Sequence, residues 1–135
     1  MENKDISSWF EEEYARITYD SQHHLLILTW ITPPLSREFR FTMNAAAAAM
    51  QHFGTGKLIT DINGIGAMLE EDQRWSATDW FPRAIAAGYS AIAVVNRDDN
   101  FSGISVEGAI NRVGDRSKVQ TRYFATFEEA LAWIK

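Results

Sequence analysis

The chain contains no cysteine. That excludes a disulfide framework, a thiolate metal site and a thiol nucleophile, and it makes the cytoplasm the expected location. No apolar run approaches the roughly 20 residues that span a bilayer, so no membrane span is expected. The opening Met1-Glu2-Asn3-Lys4-Asp5 lacks the basic-then-apolar order of a secretory signal. Basic residues are outnumbered, 13 Lys and Arg against 18 Asp and Glu, for a net charge of −5. That balance speaks against nucleic acid, whose binding rests on neutralised phosphates. The one local exception, Arg112, Arg116, Lys118 and Arg122, is diluted by Asp115 and reads as a solvated face. Only three histidines occur. His23 and His24 are neighbours that point to opposite faces of a strand, and His52 stands alone at a helix end, so no metal site is expected.

What is present suits one packed domain. The 135 residues are 46% hydrophobic and 23% charged, ordinary values for a globular chain. Residues 14–19 (YARITY) alternate as a half-buried strand, and 24–31 (HLLILTWI) read as a nearly continuous apolar strand across a short turn. Pro33-Pro34 ends it. A first helix runs from an expected N-cap at Ser36 to about Phe53, with Phe39, Met43, Ala46, Ala47 and Met50 on one face. Gly54 and Gly56 stop that helix. Residues 57–62 (KLITDI) form a central strand closed by Asn63-Gly64. Helix resumes over residues 70–87, where Pro82 predicts a kink or two successive helices. Residues 90–96 form a buried strand, 106–113 a weaker helix and 119–124 a last strand. Thr126 and Glu129 then make a capping box for a final helix.

Strands alternating with helices give the α/β class: a mixed, mostly parallel sheet of about five strands in a single domain, with helices packed on it. Residues 1–13 read as an N-terminal extension.

Catalytic and phosphate-binding motifs fail on inspection. Gly54-Thr55-Gly56 and Gly64-Ile65-Gly66 complete neither a P-loop nor G-x-G-x-x-G and read as turns. No serine occupies a G-x-S-x-G elbow. No cofactor and no catalytic residue can therefore be named. The rim beyond the parallel strands collects Thr32-Pro33-Pro34, Asp61 with Asn63, and Asn96-Arg97-Asp98. Asp61 reads either as a polar anchor, or a general base if partly buried, or as an acceptor for backbone N–H groups of the Asn63-Gly64 turn. Trp75, Trp80 and Phe81 crowd the second helical region beside Glu70, Glu71 and Arg83. On a regular helix the two tryptophans stand about 140° apart, so one buried stripe does not fully cover both; the alternative is a wide helix face wrapping the sheet, with the Pro82 bend turning Phe81 inward. These residues are the candidate surface for a protein partner, for self-association (a dimer) or for a small apolar ligand.

Several stretches in this order resemble the STAS superfamily of anti-sigma-factor antagonist-like domains, in particular a small bacterial STAS-like group. They are Leu58-Ile59-Thr60-Asp61-Ile62-Asn63-Gly64, Glu71-Asp72-Gln73-Arg74-Trp75 and Trp80-Phe81-Pro82-Arg83-Ala84. Further on come Ala93-Val94-Val95, Tyr123-Phe124 and Glu128-Glu129-Ala130-Leu131-Ala132-Trp133. The resemblance covers nearly all of the chain from about Tyr14 and implies a non-enzymatic regulatory or interaction module. Regulatory members carry Asp-Ser-Ser/Thr-Gly after the third strand, with a hydroxyl that is phosphorylated to block a kinase partner. Here Leu69-Glu70-Glu71-Asp72 stands there instead, so that switch does not carry over. Glu70 or Glu71 would supply a permanent charge in its place, or, as helix N-termini favour, would only complement the helix dipole. The alternative is a small-molecule or lipid-binding module, since related α/β folds resemble lipid carriers.

Overall fold

The computed structural model describes residues 5–97 and 119–135. Its elements run β1 (Ile6–Glu11), β2 (Ala15–Asp20), β3 (Leu25–Trp30), α1 (Ser36–Phe53) and β4 (Lys57–Asp61). Then come α2 (Glu70–Trp75), a π-helical turn (Ser76–Trp80), α3 (Phe81–Ala86), β5 (Ala91–Val95), β6 (Gln120–Phe124) and α4 (Phe127–Ile134). The six strands lie side by side in chain order. β1, β2 and β3 pair antiparallel, whereas β3, β4, β5 and β6 pair parallel.

This sequential order follows from the connections. A crossover of constant hand that returns to the next strand places each helix on the same face. Accordingly α1, the π-turn and α3 cover Leu26, Leu28 and Trp30 of β3, Leu58 of β4, and Ile92 and Val94 of β5. The opposite face offers the alternate residues Leu25, Ile59, Ala93 and Val95, which Ala130 and Ile134 of α4 cover. Strands buried on both faces read as unbroken apolar runs, which is why 24–31 and 90–96 do not alternate.

Two expectations need correction, and a third falls outside the described residues. Residues 6–11 are a sixth strand rather than an extension. A register shift between Ser8 and Phe10 in the β1–β2 pairing breaks the alternation that would have revealed it. Trp9 anchors this strand, its Nε1 donating to the Ala45 carbonyl at 2.9 Å. The N-cap of α1 is Leu35, whose N–H donates to the Glu38 carboxylate at 2.8 Å. Ser36 is the first helical residue and its hydroxyl points elsewhere, as shown below. The expected helix over 106–113 lies outside the described residues, as do Arg112, Arg116 and Lys118.

The break near Pro82 resolves into one continuous helical path with a wide turn. α2 passes into the π-turn, and α3 follows with Pro82 in its first turn, where a missing N–H costs little. The final helix opens as expected: the Thr126 hydroxyl accepts the Glu129 N–H at 3.2 Å, and the Thr126 N–H donates to the Glu129 carboxylate at 3.3 Å.

Candidate functional site

A cavity of about 80 Å³ lies between the sheet and its helical cover, partly open to solvent. Its floor is Leu28 and Trp30 of β3, Leu58 and Thr60 of β4, Ile92 of β5 and Thr121 of β6. α1 contributes Phe39 and Met43 to the roof. The π-turn contributes Ser76 and Trp80, and α3 contributes Phe81. Ile62, Ile65 and Met68 from the loop after β4, and Tyr89 before β5, close the sides.

Each wall is fixed by a bond that the local sequence supplies. Trp80 Nε1 donates to the Met43 carbonyl at 2.6 Å, pinning the π-turn to α1. Trp80 and Phe81 both meet the Tyr89 ring edge-on, at 5.4 and 5.7 Å between centroids. Asp72, 4% exposed, receives the Ser36 hydroxyl at 2.7 Å and Arg40 Nε at 3.0 Å, which ties α2 to the start of α1. The loop after β4 passes against the end of β3. A side chain on Gly64 would run into the Trp30 and Ile31 carbonyls.

The polarity of this space is low and uncharged. The described lining residues include no Asp, Glu, Lys, Arg or His. Burial drives the Tyr89 phenol well above its ordinary value of 10.0, with a smaller push in the same direction from Tyr123. Ser76 is 9% exposed, and its hydroxyl finds no hydrogen-bond partner among the described residues.

The structure divides the candidate residues into three groups. Trp80 and Phe81, at 3% and 8% exposure, are core residues lining the cavity, so neither presents an aromatic surface to a partner. The π-turn and the docking of α3 bring both inward, which is the alternative of a helix face wrapped on the sheet with Phe81 turned in at Pro82. Trp75 is half-buried, with the Arg40 and Arg83 guanidinium groups over its ring at 5.2 and 5.8 Å. Arg83 also donates to Asn44 and Asp79. Glu70 and Glu71 are exposed, and the Glu70–Arg74 pair at 3.3 Å is a solvent-screened surface contact.

Asp61 and Asn63 form a third group, away from the cavity. On β4, Leu58 and Thr60 face the cavity, so the intervening alternation turns Asp61 to the other side. Its carboxylate accepts the Asn63 backbone N–H at 2.9 Å and the Asn63 side-chain N–H at 2.7 Å. Asn63 Oδ1 in turn accepts the Arg97 N–H at 2.8 Å, linking the ends of β4 and β5. This is the turn-anchor arrangement.

The histidines are likewise engaged locally. His23 Nδ1 meets Asp20 Oδ2 at 2.8 Å. His24, with φ of 56°, accepts the Tyr19 hydroxyl at Nδ1 and donates from Nε2 to the Gly54 carbonyl. No group of three His, Cys, Asp or Glu side chains among the described residues is placed to hold a metal ion. No helix among them is long and apolar enough to cross a membrane.

Sequence reading missed the cavity and most of its lining. One signal was available: Thr60 is a polar position between Leu58 and Ile62 on the core face of β4, where a packed wall would carry Val or Ile. Ser76 gave no signal, because its placement depends on the π-turn. Comparison of the chain with family models, curated proteins and solved structures finds no match.

Proposed function

We propose that this chain is a non-enzymatic, STAS-like α/β binding module that takes a small apolar molecule, or the end of an apolar chain, into the cavity beneath the π-turn. One observation carries this reading: an apolar, partly open space of about 80 Å³ with an uncharged described lining. A cavity of about 150 Å³ accepts benzene. This one therefore suits a ligand of roughly three or four heavy atoms and excludes a whole lipid. The STAS-like part rests on the order of elements and on the stretches quoted above. The non-enzymatic part rests on the described lining residues, which bring no acid, base and nucleophile together.

The test is a methyl-NMR titration with isobutene, comparing wild type with a folded Leu58→Phe variant whose larger ring fills the floor. Saturable shifts at Met43, Leu58 and Ile92 in the wild type, weakened in the variant, support the reading. Affinity has a ceiling: four heavy atoms at about −1.5 kcal/mol each allow a Kd no tighter than tens of micromolar. Absence of saturable shifts at those methyls overturns it.

A partner-docking reading keeps one observation of its own. Ile31, Leu35 and Leu69 are exposed on the two loops beyond β3 and β4, and Pro34 and Leu69 line a small pocket of about 30 Å³ there. Light-scattering masses of wild type and Leu69→Glu test it. A wild-type dimer that the variant converts to monomer supports docking through this rim, and identical monomers count against self-association there.

A further inference from the structure

We infer that the cavity and the small pocket at the rim beyond β3 and β4 are two compartments of one site, and that its ligand is an unbranched alkyl chain of about five or six carbons whose polar head stays at the rim. The inference rests on the ligand-binding reading above and adds the ligand's shape and its way in. The inner cavity measures about 80 Å³ and the rim pocket about 30 Å³. Phe39, Ile65 and Met68 line both, so a layer of side chains parts the two spaces. Two of the three are fixed. Phe39 is 4% exposed, stacks on Trp30 at 5.5 Å and meets Trp75 edge-on at 6.2 Å. Ile65 is 3% exposed, and its N–H donates to the Ile62 carbonyl at 3.1 Å. Met68 differs, being half-buried in the irregular stretch between β4 and α2. An unbranched thioether side chain has several rotatable bonds and yields space that a branched or aromatic one holds. Met68 is therefore the member of the partition that gives way.

Volume sets the length of the chain. On the scale where about 150 Å³ holds benzene, the inner cavity takes about three or four carbons, the rim pocket about one, and the partition about one between them. The lining sets its direction. A polar head drawn into the inner cavity would find no charged partner among the described lining residues and would lose its hydration without compensation. The tail therefore lies inside, against Leu58 and Ile92, and the head stays in water beside Ala67 and Leu69. The matching class is a short unbranched amphiphile, of which a primary alcohol is the simplest.

Methyl-NMR titrations of the wild type with n-butanol, n-hexanol and n-octanol, beside isobutene, test whether the compartments join. Hexanol should bind about fifteenfold tighter than butanol, about fourfold for each buried CH₂, and octanol should add less than about twofold. In the hexanol complex, NOEs should run from the terminal methyl to Leu58 and Ile92, and from the hydroxyl-bearing carbon to Ala67 and Met68. Ala67→Phe fills the rim pocket from an exposed position. It should abolish the advantage of hexanol over butanol while isobutene binds as in the wild type, which also shows that the variant is folded. Should that variant not fold, the order of NOEs in the wild type decides. Suppose isobutene occupies the cavity but hexanol binds no tighter than butanol, keeps its advantage in folded Ala67→Phe, or turns its hydroxyl end to Leu58 and Ile92. The joined site is then refuted and the cavity reading stands. If neither isobutene nor any alcohol shifts the cavity methyls of the wild type, both fall.

Discussion

Replacing Asp72 tests whether the cavity roof is held by the contact between α1 and α2. The carboxylate is 4% exposed and takes the Ser36 hydroxyl at 2.7 Å and Arg40 Nε at 3.0 Å. A hydrogen bond to a buried charge contributes about 1.5–3 kcal/mol. The Arg40 pair contributes less, because the arginine side chain is 38% exposed and solvent screening brings such a pair to about 0.5–1 kcal/mol. Asp72→Ala should therefore cost about 2–3 kcal/mol, below the 3–5 kcal/mol of a fully buried pair, because Arg40 can turn to water. Asp72→Asn keeps an acceptor for Ser36 and should cost about 1 kcal/mol. With a urea slope of about 2 kcal/mol per molar, the alanine variant's midpoint falls by about 1 M with the slope unchanged. Double-mutant cycles separate the partners. Coupling of Asp72 to Ser36 should exceed its coupling to Arg40, whose guanidinium also covers Trp75. An alanine cost below about 1 kcal/mol, or the reverse order of couplings, would refute this account of the roof.

Four further outcomes follow from single substitutions. Because burial raises the Tyr89 phenol, the unfolded chain releases that proton first, and stability that is full below pH 10 falls as pH rises above it. The wild type should lose about 1 kcal/mol more than Tyr89→Phe between pH 10 and 11, by urea unfolding at each pH. Gly64→Ala should cost about 3 kcal/mol, because its methyl meets backbone carbonyls that cannot give way. Gly54→Ala, in open space at φ 68°, should cost only about 1–2 kcal/mol. Ser76→Ala should stabilise the free protein by about 1 kcal/mol in thermal unfolding, since it removes a buried hydroxyl without a partner.

The elements that sequence reading places correctly are those whose residues act through local rules. The apolar face of 36–53 is fixed by periodicity, the last helix by the Thr126–Glu129 box, and β3 and β5 by short unbroken apolar runs. β1 escaped because its register shift breaks the period-two pattern on which strand recognition depends. The candidate site was legible only in part, for a different reason. Trp80 and Phe81 were singled out as aromatics, but their direction depends on a π-turn that no local pattern announces, so an exposed surface and a buried face stood as equal alternatives and the chain builds the buried one. Asp61 could be read either way, and its bonds to Asn63 display the local alternative. Ser76, Met43 and Met68 meet only after α1, the π-turn and the loop beyond β4 converge on one face of the sheet. That is a tertiary fact with no short-range signature.

The most direct measurement is diffraction from crystals of the wild-type protein held under xenon pressure. Xenon is apolar, small enough for the cavity and located without ambiguity by its anomalous scattering. Occupation of the space bounded by Leu28, Leu58, Trp80 and Ile92, with those side chains in place, is the predicted result. Electron density showing that space closed by collapsed side chains, with no xenon in it, would contradict the binding-module account.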